Sequence, residues 1–91
     1  MFVVVSNNRR NRALRTVLAA RLTTSSKPPL PSIVEIPQHE AVHGRVICDD
    51  LFEFYDDEEG LEVLTGLSPS TMAMVTEGLA AALDIPTSTT S

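Results

Sequence analysis

The sequence predicts a mainly β domain closed by a C-terminal helix. Three observations carry this. Short runs rich in Val and Ile recur along the first two thirds of the chain, some alternating with polar residues; clusters of Pro, Gly, Ser and Asn separate them; and apolar residues take helical spacing only near the end.

Residues 2–5, FVVV, form a short apolar strand that enters a turn at Ser6, Asn7 and Asn8. The stretch 6–15, SNNRRNRALR, reads as a long polar loop. Residues 16–24, TVLAARLTT, alternate again. Leu18, Ala20 and Leu22 take one face and Val17, Ala19, Arg21 and Thr23 the other, so Arg21 and Thr23 project from the same side. Pro28, Pro29 and Pro31 in SSKPPLP exclude ladder pairing and mark a loop, which leads into a strand at 33–36, IVEI. GRVICDDLFEFY, 44–55, supplies one or two further strands, with Val46, Cys48, Leu51, Phe52, Phe54 and Tyr55 as core. After an acidic turn, DDEEG at 56–60, EVL at 62–64 is a brief strand. Ser68 then caps a helix whose first turn holds Pro69 and whose core face is Met72, Val75, Leu79, Ala82 and Leu83; Pro86 stops it. The expectation is one domain over 1–86, several short antiparallel strands and a closing helix, with a disordered tail at 87–91.

A domain of 91 residues hides only about 60–65% of its unfolded surface, so a second subunit would help it. Hydrophobic content of 43% against 21% charged excludes a disordered chain. No apolar run approaches the roughly 20 residues of a membrane span, and MFVVVS is too short for a secretory core. The lone Cys48 forms no internal disulfide, which fits a reducing cytosol. The net charge of −5 hides a division: residues 1–34 carry +6 with no acidic side chain, and residues 35–91 carry −11. A basic, Asn-rich first segment suits phosphate contacts, and the acidic remainder repels them.

Residues 39–43, HEAVH, match H-E-x-x-H. On a helix, His39 and His43 would share one face as zinc ligands and Glu40 would activate a bound water, the constellation of a small zinc hydrolase. Pro37 and Gly44 leave room for about two turns, and the third ligand has to come from Glu58, Glu59 or Glu62. The expectation is therefore an exposed loop with no metal.

Four segments in one order, VVVSNNRRNR, TVLAARLTT, the proline loop into IVEIP, and LSPSTMAMVTEGLAAALDIP, resemble the MazF/PemK family of toxin endoribonucleases over residues 2–86. The resemblance implies a small SH3-like antiparallel barrel of the MazF/CcdB-like kind with a C-terminal helix, incomplete here at its N-terminal edge, and a homodimer. It implies sequence-specific cleavage of single-stranded RNA without metal or cofactor, through attack of the ribose 2′-hydroxyl on the adjacent phosphorus, by a cytoplasmic enzyme. It also implies a cognate antitoxin with an acidic tail, through which alone DNA would be met. Thr23 stands at the family's catalytic Thr, where its hydroxyl reaches a phosphate oxygen as charge builds there. Arg21 on the same face contacts phosphate, and Asn8, Arg9, Arg10 and Arg12 fall in the family's substrate-lining loop. The family's other catalytic residue, an Arg before the first strand, has no counterpart. Two expectations follow: a shortened start, or a cleavage-incompetent binding paralogue that pairs with an antitoxin or an active toxin. At DDLFEF, Phe52 and Glu53 replace the family's Arg and Thr, and with Phe52, Phe54 and Tyr55 placed in the core no stacking platform is expected.

Overall fold

The computed structural model describes residues 1–55, 63–64 and 66–83. The chain runs β1 (Phe2–Val4), α1 (Asn8–Leu14), β2 (Thr16–Thr23), β3 (Ile33–Glu35), β4 (Arg45–Tyr55), β5 (Val63–Leu64) and α2 (Pro69–Leu83). The strands form one sheet in the order β3-β4-β2-β1-β5. Pairing is mainly antiparallel, as expected, and β1 and β5 alone run parallel among the described strands. The edge strands β3 and β5 do not meet, so the sheet is a half-barrel, and α2 packs over β3 and β4. The acidic turn 56–60, Pro86 and the tail lie outside the described residues.

The core sits between the sheet and α2. Val3, Ala20, Val34, Ile36, Val46, Cys48 and Val75 are buried together, with Val5, Leu22, Val42, Leu67, Leu79 and Ala82 packed around them. Ala20 and Leu22 thus take the core face of β2, as the alternation requires. Gly78 lets α2 settle closely: a Cβ there would lie 2.6 Å from Val34 Cγ2 and 2.8 Å from Cys48 Sγ. Ser68 caps the helix, its carbonyl accepting from Met72 N at 2.9 Å and its hydroxyl from Thr71 N at 3.4 Å. Leu83, expected on the core face, is exposed.

Two further expectations are corrected. The polar loop at 6–15 contains α1, which Asn7 caps by accepting from Arg10 N at 2.8 Å and Arg15 ends in the left-handed region at φ 61°. None of its residues is buried, so it shows no apolar periodicity; Arg, Ala and Leu form it by propensity and by its caps. The second correction concerns β4. Its register with β2 jumps from Leu51 opposite Ala20 to Ile47 opposite Arg21, skipping Cys48, Asp49 and Asp50. Beyond this bulge β3 no longer flanks β4, since β3 pairs only with Arg45, Val46 and Ile47. Leu51, Phe52 and Tyr55 are consequently exposed, Tyr55 by 71%, and are not core.

Candidate active site

Thr23 ends β2, directly opposite Arg45, the first residue of β4. Its Oγ1 accepts from Ser25 N at 3.1 Å, which leaves the hydroxyl hydrogen available to an incoming acceptor. Arg45 Nη1 donates to Ser25 O at 3.5 Å, and Nη2 stands 3.8 Å from Glu35 Oε1. A second connection reaches the same strand end. Gly44, at φ 135°, brings its backbone so close to β2 that a Cβ would lie 2.6 Å from Thr23 O. The Gly44 carbonyl accepts from Ile36 N at 2.9 Å. The loop before Gly44 is therefore seated against Thr23.

Between strand end and loop lies an open cavity of about 540 Å³, lined by Met1, Leu22, Thr23 and Thr24 and by Ala41, Val42 and His43. His43 also lines an adjoining recess of about 290 Å³ with Thr24, Gln38 and Arg45. Two titratable or cationic groups, His43 and Arg45, thus border the Thr23 site. Neither stood out in the sequence as a partner of Thr23. His43 was absorbed by the zinc-like motif, and Arg45 is the one base in the acidic part of the chain, a signal that local pattern alone does not read.

Arg21 lies two residues before Thr23, and Asp50 from the β4 bulge meets it: Nε and Nη2 each stand 2.8 Å from Asp50 Oδ2. Both side chains remain well exposed, so the guanidinium keeps an open side. The other predicted contacts are not brought to this place. β2 begins at α1 and ends at Thr23, and seven steps at about 3.3 Å put roughly 23 Å between its ends. Asn8, Arg9 and Arg12 are exposed on α1 at the far end. Arg10 turns inward: it donates to Thr16 O at 3.1 Å, to Thr16 Oγ1 at 3.3 Å and to Glu53 Oε2 at 3.2 Å. It fastens α1 to the sheet.

Phe2, Phe52 and Phe54 form an aromatic cluster, Phe2 edge-on to both others at 5.4 and 5.0 Å between centroids, Phe52 and Phe54 stacked at 6.1 Å. Phe52 is 43% exposed, so rings assigned to the core stand on the surface.

HEAVH takes no helical form: residues 38–42 are turns and bends, and His43 has no regular structure. Glu40 is drawn inward, its side chain 8% exposed, and Ser68 N and Ser68 Oγ donate to its Oε2 at 3.2 and 2.6 Å, with Thr71 Oγ1 as a further donor. His39 Nε2 sits 3.1 Å from Ser68 Oγ and 3.1 Å from Glu40 Oε2. The Ser68 hydroxyl above all, then Thr71, hold the Glu40 carboxyl below the usual carboxylate range. Glu40 is thus the partner of the α2 N-terminus, and His39 and His43 do not share a ligand face. Among the described residues no group of three His, Cys, Asp or Glu is placed to hold a metal.

Residues 1–83 match the family described as PemK-like, MazF-like toxin of type II toxin-antitoxin system. Endoribonuclease MazF4 of Mycobacterium tuberculosis is 35% identical over 85 residues, 93% of this chain and 79% of that protein. Two solved structures are equally similar in sequence, at 35%. An endoribonuclease from a mycobacterial species superposes with a TM-score of 0.82, covering 93% of this chain and 80% of its own. An endoribonuclease in complex with its cognate antitoxin, also mycobacterial, superposes at 0.81, covering 93% and 81%.

Proposed function

Because the chain belongs to the family of PemK-like, MazF-like toxins of type II toxin-antitoxin systems, we propose that it is an endoribonuclease that cuts single-stranded RNA at a defined short sequence, without metal. The observation that carries this is the likeness, over nearly the whole chain, to proteins named endoribonucleases, in sequence and fold together. Thr23 acts at the scissile phosphate. With Ser25 N–H donating to its oxygen, its own hydrogen points to a phosphate oxygen as negative charge grows on the phosphorane. Arg21 and Arg45, on the same strand end, supply cationic charge for the flanking phosphates. Arg9 and Arg12 on α1 extend the path of the strand toward the other end of β2.

The same reading includes a cognate antitoxin whose acidic tail competes with RNA for these arginines, a homodimer, and a cytoplasmic site of action. The exposed Leu51, Phe52 and Tyr55 supply apolar surface for a subunit contact. The buried, unpaired Cys48 suits a reducing compartment.

Incubating the purified chain with a long single-stranded RNA in excess EDTA, and mapping fragment ends, tests the activity. Cleavage at one short sequence, abolished by Thr23→Ala, is expected. Intact RNA, or fragments that form only when divalent metal is supplied, would overturn it.

A further inference from the structure

Resting on that ribonuclease reading, we propose that His43 is the general base of the reaction: it takes the proton of the ribose 2′-hydroxyl at the phosphate held by Thr23. The chemistry needs a proton acceptor beside Thr23. Its attacking group is an alcohol, which becomes an effective nucleophile only as its proton leaves. Arg21 and Arg45 cannot serve, since a guanidinium stays protonated at any pH the fold survives. The Thr23 and Thr24 hydroxyls are no bases near neutrality. Imidazole is the side chain suited to the task, and His43 is the one that lines the cavity with Thr23 and Thr24. Its place is built rather than incidental. Gly44, the next residue, is pressed on the Thr23 carbonyl and tied to Ile36 N. Val42, the residue before, packs on the core. His43 is thereby held on both sides while it stays exposed at the rim of the cavity.

The 2′-oxygen forms a bond to phosphorus as its proton passes to the imidazole, and the bond from phosphorus to the 5′-oxygen breaks. The products are a 2′,3′-cyclic phosphate and a 5′-oxygen that takes a proton from solvent water. The imidazolium then returns its proton to solvent, so no net charge is gained or lost. Thr23 donates to the non-bridging oxygen throughout.

The test is the pH dependence of single-turnover cleavage by the full chain and by His43→Gln, with urea midpoints confirming that both are folded. The charged groups around His43 are Glu35 and Arg45 in the adjoining recess, Glu40 and His39 on its own loop, and the Met1 amino group across the cavity. Glu35→Gln and His39→Gln are therefore run alongside. The wild-type rate should rise with pH to a plateau, as a reaction with a general base requires. His43→Gln should lose this rise and fall about 100-fold or more at pH 7.5 with RNA affinity unchanged. Added imidazole should restore part of the rate to His43→Ala, and both control variants should keep the wild-type profile. An unaltered profile in His43→Gln would overturn the assignment while leaving the ribonuclease intact. A rise abolished in Glu35→Gln or His39→Gln instead would reassign the proton and overturn it equally. RNA left uncut by the wild-type chain would overturn the ribonuclease reading and this assignment with it.

Discussion

Replacing Gly44 with Ala should destabilise the domain more than the same change at Gly66, the other loop glycine among the described residues, and the structure divides the loss into two parts. At φ 135° the backbone lies where side chains are strained, which costs about 1–3 kcal/mol. The new Cβ would also stand 2.6 Å from Thr23 O and 3.3 Å from Thr23 C, both backbone atoms of a paired strand. Overpacking of this kind costs about 1–3 kcal/mol more. Gly66 supplies the comparison. At φ 90° it carries the same sort of strain, and a Cβ there meets nothing within 4 Å. Gly66→Ala therefore measures the backbone part alone, and the excess of Gly44→Ala, about 1–3 kcal/mol, measures the close approach to Thr23. For so short a chain an m-value in urea near 1 kcal/mol per M is expected, so the two midpoints should differ by about 1–3 M at equal m. Gly44→Ala should also abolish RNA cleavage at urea-free conditions where it is still folded, because relieving the contact moves either Thr23 or His43. Equal midpoints for the two variants would refute the claim that the loop is seated on the β2 strand end.

Four further outcomes are expected. Gly78→Ala should destabilise, because a Cβ 2.6 Å from Val34 Cγ2 outweighs the gain of about 1 kcal/mol from Gly to Ala in a helix, and the same change in a Val34→Ala background should cost less or stabilise; urea midpoints of the four proteins read the coupling. Burial, and then the neighbouring Asp49, push the Cys48 thiol up to about 11. Its folded pKa exceeds the unfolded one, so this share of stability is complete below about pH 8.5 and is lost as pH rises toward 11; Cys48→Ala should lack that alkaline loss in midpoint-against-pH titrations, and Cys48 should resist alkylation at pH 8 until urea is added. The Glu40 carboxyl is depressed by Ser68 and Thr71, so its contribution is present above the ordinary carboxylate range near 4.3 and disappears as pH falls through its lowered value; Glu40→Gln should flatten that acid limb of the midpoint curve. Asp50→Asn should free Arg21 for phosphate and steepen the slope of log affinity against log salt for single-stranded RNA, and Arg21→Ala should make it shallower, the two variants differing by about 0.7, as filter binding over a salt series would show.

How much of this was legible in the sequence depended on what each residue packs against. β2 declared itself because its alternation is enforced by a buried face, and Ala20 and Leu22 lie where the period-two reading puts them. α2 declared itself through Ser68, Pro69 and the spacing of Val75, Leu79 and Ala82. α1 could not, since a helix that buries nothing leaves no apolar period; only Asn7 as a cap and the Arg-rich run hinted at it. The exposure of Phe52 and Tyr55 was hidden for a different reason. Composition says that such residues suit strands, whereas whether a strand has a neighbour on both sides is decided by register, and the three-residue skip at Cys48, Asp49 and Asp50 is a tertiary event. In the site, Thr23 was singled out by the family resemblance, and strand alternation set Arg21 on its side of β2. The pairing of Thr23 with Arg45 and the seating of His43 were not legible, because both partners arrive from sequence positions some twenty residues away.

The five residues HEAVH show how one short pattern can be both misleading and consequential. Its letters fit a zinc helix, yet the chain spends them differently. Glu40 goes inward to the N-terminus of α2, where it takes the hydroxyl and amide protons of Ser68. Val42 goes to the core, and His43 goes outward to the Thr23 cavity. An alternation of inward and outward side chains is what a loop clamped at both ends needs, and it is incompatible with the helical face that would set His39 and His43 together. The loop therefore links the stability of α2 to the position of His43: loosening the Glu40 contacts should blunt cleavage without any change at Thr23. Glu40→Gln consequently has two expected readouts with one cause, a lost acid limb in stability and a reduced rate at pH 7.5. If the acid limb vanishes while the rate is untouched, the loop does not hold His43 in place, and its seating rests on Gly44 alone.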